Sequence, residues 1–154
     1  MSDFNKELSG FSKWVALSNV NKHSIPKGQQ VVYVVRAVNE KGVPVSINRA
    51  RKVDDLGILN IGSGNGPTRL HKLKKSIPIN DVKDWKRATH HQLILWWFHF
   101  DFESVLGIKK TTESIEVFWQ EQTDDKSARE KEKTLLWRYK RHFTDLPIGN
   151  LKSW

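Results

Sequence analysis

Gly57-Ile58-Leu59-Asn60-Ile61-Gly62-Ser63-Gly64-Asn65-Gly66-Pro67-Thr68-Arg69-Leu70 reads as strand, turn and helix within one short stretch. Ile58, Leu59 and Ile61 make Gly57 to Gly62 a short strand, and Ser63 to Pro67 is a cluster of turn formers. Pro67 suits the first helical position, where a missing N–H costs nothing. The helix runs from Pro67 to about Ser76. It buries Leu70, Leu73 and Ile77 while Lys72, Lys74 and Lys75 spread over its solvent side.

Upstream, Gln30 to Val38 is rich in Val with Tyr33 inside it, and Gly28 and Gly42 bound it as a buried strand. Val43 to Asp55 is a basic, weakly structured excursion carrying Arg49, Arg51 and Lys52. Downstream, Ile115, Val117 and Trp119 alternate with Glu116 and Phe118, so Ser114 to Glu121 is a third strand. Phe4, Leu8, Phe11, Trp14, Val15 and Leu17 predict an amphipathic helix from about Asp3 to Ser18, followed by a polar connector over Asn19 to Gly28. Asp81 to Phe102 fits a helix better than a strand through Val82, Trp85, Ala88, Leu93, Trp96 and Trp97. Three strands among helices make an α+β fold of one domain, with residues 1–25 as a helix and connector packed on a main domain over residues 26–154.

The last helix carries the most informative residue. Ala128, Leu135, Leu136, Tyr139 and Phe143 form its apolar stripe, and Ser127 with Glu130 makes a capping box at its start. Glu132 lies on that stripe. Burying an ionised carboxylate costs several kcal/mol unless a cation or hydrogen bonds compensate it, so a metal ion or basic partner is implied. The alternative is a Glu at the stripe's edge that reaches back to solvent.

The formal charge of +9 on 154 residues points to a polyanionic partner. Arg49, Arg51, Lys52, Lys72, Lys74, Lys75, Lys83, Lys86 and Arg87 are candidate phosphate contacts, or plain solubilising charge. The absence of cysteine excludes disulfides and thiolate zinc sites and suits a reduced, cytoplasmic setting. The apolar run Leu93 to Phe98 is too short to span a bilayer, and the first residues lack a signal-peptide pattern, so no membrane is expected.

Val31-Val32-Tyr33 and Asn60-Ile61-Gly62, followed by the helix-borne Arg69, resemble the two signature tripeptides and the arginine of the GIY-YIG nuclease superfamily. Glu132-Lys-Thr-Leu-Leu-Trp-Arg-Tyr139 and Leu146-Pro147-Ile-Gly-Asn150 resemble its closing pattern, so the likeness spans roughly Pro26 to Asn150. It implies a small three-stranded antiparallel sheet flanked by helices and a Mg²⁺ (or Mn²⁺)-dependent cleavage of DNA phosphodiester bonds, most simply in double-stranded DNA. Carried onto this chain, Tyr33 would activate or position the attacking water, Arg69 would stabilise the phosphate, Glu132 would hold the metal, and Asn150 would orient backbone or phosphate. Two positions depart from the pattern: Val31 replaces a Gly, and Asn60 replaces the second Tyr with a side chain that hydrogen-bonds but takes no proton. The rival readings are a binding-only domain of the same fold and a protein-interaction or inhibitor domain with a basic face. Homodimerisation would suit cutting both strands, and no interface is legible in the sequence.

Overall fold

Eight consecutive residues, half of them valine, Gln30–Ala37, form the central strand around which the rest is arranged. A computed structural model describes residues 3–77 and 102–150. The strands are β1 (Val15–Ala16), β2 (Gln30–Ala37), β3 (Ile47–Asn48), β4 (Val53–Asp54), β5 (Ile58–Asn65) and β6 (Ile115–Gln122), and the helices are α1 (Gly66–Ser76), α2 (Phe102–Leu106) and α3 (Asp125–Phe143). The architecture is α+β. The main sheet runs β1-β6-β2-β5, with every pairing antiparallel. Tyr33 stands at its centre, opposite Gly62 on one side and Trp119 on the other.

Alternation along β2 divides the core into two layers. Val31, Tyr33 and Val35 pack with Leu70, Leu73 and Ile77, which sets α1 on one face. Val32 and Val34 pack with Leu135, Leu136 and Tyr139, which sets α3 on the other. Each such side chain taken fully out of water contributes about 1.5–3 kcal/mol, so the two helices are fixed to the sheet mainly by these stripes. No helix among the described residues is long and apolar enough to cross a membrane.

Several expectations are corrected. The sheet has four strands, the fourth being the two-residue edge β1. Asp3 to Ser18 is not one helix: a 3₁₀ turn over Asp3–Leu8 gives way at Gly10, with φ of +82°, to extended chain. Phe11 and Trp14 then stack on Phe118 at 4.7 and 3.7 Å, so their three-residue spacing serves a segment laid along β6. Ser63 to Asn65 continue β5 because β2 pairs with them as far as Gln30 opposite Asn65. Asn65 then caps α1 by accepting the Thr68 N–H at 3.2 Å. At α3 the cap is Asp124, which accepts the Ser127 N–H at 2.7 Å, so Ser127 lies inside the helix. The basic excursion folds into the β3–β4 hairpin, with Ile47 and Asp54 buried. Apart from Phe102, which opens α2, the predicted helix over Asp81 to Phe102 lies outside the described residues, as do Lys83, Lys86 and Arg87.

Candidate active site

β5 is an edge strand, so side chains from both faces of the sheet can meet around its free side. They do so in a cleft of about 480 Å³ lined by Tyr33, Asn60, Arg69, Glu132 and Asn150, together with Ser63, Asp125, Arg129 and Lys133. The five residues expected from the sequence to act together come from β2, β5, α1, α3 and the C-terminal segment, and the fold brings them to one place.

Backbone geometry explains how. Tyr33 and Arg69 need room on the α1 face of β5, and two glycines supply it. A Cβ on Gly62 would lie 3.0 Å from Cε2 of Tyr33 and closer still to its Cζ and Oη. A Cβ on Gly64, whose φ is +136°, would lie 2.7 Å from Nε of Arg69. Arg69 sits in the first turn of α1, where free backbone N–H groups already favour an anion. On the opposite face, the Ser63 hydroxyl donates to Oε2 of Glu132. Asn150 closes the edge itself. Its Oδ1 accepts the Ile61 N–H and its Nδ2 donates to the Ile61 carbonyl, both at 2.9 Å, while Gly149 N–H donates to the Leu59 carbonyl at 2.6 Å. The carboxamide thus takes the place of a neighbouring strand and holds β5 in register beside the cleft.

Electrostatics set the protonation states. Burial pushes the Tyr33 phenol above its ordinary range, with the Arg69 cation pulling it back and the Glu132 charge adding to the rise. Tyr33 is therefore a protonated phenol in this environment. Burial also raises Glu132, opposed by the Ser63 hydrogen bond and by Arg69, Arg129 and Lys133. Asn60 is 6% exposed, and its Oδ1 is buried with no hydrogen-bond partner. Buried acceptors are almost always paired, so this shielded, unpaired oxygen is an exception beside the cleft.

Among the described residues no three of His, Cys, Asp and Glu are grouped as a metal cage. The donors present suit a hard divalent cation held largely by water: the Glu132 carboxylate and the Ser63 hydroxyl are both oxygen and lie together at the cleft, and Mg²⁺ commonly takes one or two carboxylates and keeps several waters.

Two candidate phosphate contacts are corrected. Arg49 is folded inward, donating to the Leu146 carbonyl at 2.5 Å and pairing with Asp145 at 3.0 Å, so it ties the hairpin to the C-terminal segment. Lys74 donates from Nζ to the carbonyls of Ser18 and Val20 at 2.9 and 2.7 Å, holding the N-terminal connector against α1. Arg51, Lys52 and Lys75 are exposed and Lys72 is half-buried; none of them lines the cleft. Sequence reasoning missed Ser63, Asp125, Arg129 and Lys133. Asp125 and Arg129 sit seven and three residues before Glu132, spacings that put them on its face of the helix, whereas Lys133, one residue after it, carried no such signal. Ser63 was hidden in a glycine cluster read as a turn.

No family model, no curated protein and no solved structure matches this chain.

Proposed function

We propose that the protein is a metal-dependent endonuclease that hydrolyses phosphodiester bonds in DNA, of the GIY-YIG type that its motifs resemble. The observation that carries this reading is the convergence of Tyr33, Asn60, Arg69, Glu132 and Asn150 on one cleft at the free edge of β5.

Arg69, permanently charged, binds the non-bridging oxygens of the scissile phosphate and stabilises charge as it grows there. Glu132, with Ser63 fixing one carboxylate oxygen, is the protein ligand for a divalent cation. Such a cation, when bound, polarises a phosphoryl oxygen and stabilises the leaving oxygen. Tyr33 keeps its proton and orients the attacking water through its hydroxyl, one of the two roles that the resemblance implies for it, and the water's proton passes to solvent in the cleft. Asn60 lines the cleft beside that water. Asn150 acts through the backbone by fixing the strand that bears Asn60 and Ser63.

A second reading, a binding domain without turnover, is favoured by the residues themselves: Asn60 has no titratable group, and burial pushes the Tyr33 phenol above its ordinary range. Supercoiled plasmid incubated with Mg²⁺ or Mn²⁺ separates the two. The nuclease reading expects nicking that requires the metal and disappears in Glu132→Gln, with DNA binding retained. Salt-sensitive binding without nicking at any metal concentration would leave the binding domain as the function.

A further inference from the structure

The outer face of α3 carries a ridge that the cleft does not use up. Arg129 and Lys133 line the cleft, and continuing at the same four-residue step the helix presents Trp137 and then Arg141. Each four-residue step turns about 40° around the helix, so these residues form one inclined stripe about 18 Å long from Arg129 to Arg141. Trp137 is 58% exposed, an unusual position for the most costly apolar surface a soluble protein can leave in water. Its ring carries the Arg141 guanidinium 5.4 Å from the centroid. Lys126 and Lys140 are exposed on the same flank of the helix, where the acids are Glu130 and Asp125, the latter engaged by Arg129 at 3.0 Å, while Glu7 beside Trp137 and Arg141 is engaged by Arg138 at 2.5 Å.

We infer that this stripe is a docking track for a DNA strand with unpaired bases, leading into the cleft. Two features select that occupant. The cations are complementary to a phosphate backbone, and at about 3.4 Å per nucleotide along a duplex strand the stripe is long enough for roughly five nucleotides. An exposed indole among arginines is a stacking platform, which a base can use when it is free of its partner strand. A purely duplex-binding surface needs the cations and has no use for the ring. The track is continuous with the cleft through Arg129 and Lys133, so a strand lying on it presents a phosphate near Arg69. The assignment rests on the phosphodiesterase reading only for which phosphate is cut. Single-stranded segments, flaps and frayed ends are thereby the favoured substrate class.

The test is fluorescence anisotropy of a labelled oligothymidylate and of a blunt duplex, without divalent cation so that binding is read apart from cleavage. Trp137→Ala should weaken the single strand about 5- to 100-fold and the duplex by less than about twofold. Trp137→Phe, which keeps a ring, should recover most of the loss. Arg141→Gln should lower the salt dependence of single-strand binding by roughly 0.7 in the logarithmic slope. Equal single-strand affinity for Trp137→Ala and the parent would overturn the track, and so would a Trp137→Ala variant that only splits a dimer. Plasmid nicking by the parent in either of those cases would leave the nuclease reading standing. A parent that binds neither DNA would remove both.

Discussion

Two acidic side chains lie at α3, one from β4 bonded to it and one on the helix itself, and they are opposites. Asp54, at the end of β4, is fully buried and accepts four hydrogen bonds, from the N–H groups of Leu56, Gly57 and Ile58 at 2.8, 3.1 and 3.1 Å and from the Tyr139 hydroxyl at 2.5 Å. Its bonding capacity is full. Glu132 is half-buried, is bonded by the Ser63 hydroxyl, and faces a cleft among Arg69, Arg129 and Lys133. Its capacity is open. Burial raises both carboxyls, and at Asp54 the Tyr139 hydroxyl and the three amides pull back against it. A saturated carboxylate organises the fold, whereas one that is desolvated but only partly bonded can take a cation.

The comparison breaks most visibly at Asp54. Asp54→Ala leaves three backbone donors and a phenol buried without an acceptor, and should cost at least about 3 kcal/mol in urea denaturation. A loss below about 1 kcal/mol would show that the network is not structural. Gly62→Ala sharpens the other side. The added methyl must displace the Tyr33 ring, so it should cost about 1–3 kcal/mol and depress metal-dependent nicking, measurable together by denaturation and plasmid assay.

Glu132→Gln is expected to have the smallest effect on stability. A carboxyl raised in the folded state stabilises that state below its unfolded pKa, and the benefit fades as pH rises through the folded pKa. At neutral pH the ionised Glu132 is thus a cost to the metal-free fold. Its amide should melt at or above the parent's Tm, within about 1 kcal/mol, with the difference shrinking as pH is lowered into the carboxylate range. A Tm clearly below the parent's at neutral pH would place Glu132 with Asp54 among the structural acids.

Glu132 was legible in the sequence because a charge on an apolar helical stripe is a local contradiction. Asp54 was not, since its partners are backbone amides in a tight turn and a phenol eighty-five positions away. For the same reason Arg49 and Lys74 read as surface charge: a cation bound to main-chain carbonyls has no side-chain signature. β2, α1 and α3 were readable from periodicity, while the N-terminal segment misled because the three-residue spacing of Phe11 and Trp14 fits a helix and equally an extended chain stacked on one aromatic ring. The strand character of Ser63 to Asn65 was masked by the glycines that make room for Tyr33 and Arg69.

The most direct measurement is calorimetric titration of Mn²⁺ into the parent and into Glu132→Gln near neutral pH. One site in the parent, weakened tenfold or more by the substitution and weakening in the parent as pH falls toward the raised carboxyl pKa, is the result expected of an open carboxylate. Equal Mn²⁺ affinity in the two proteins would contradict it.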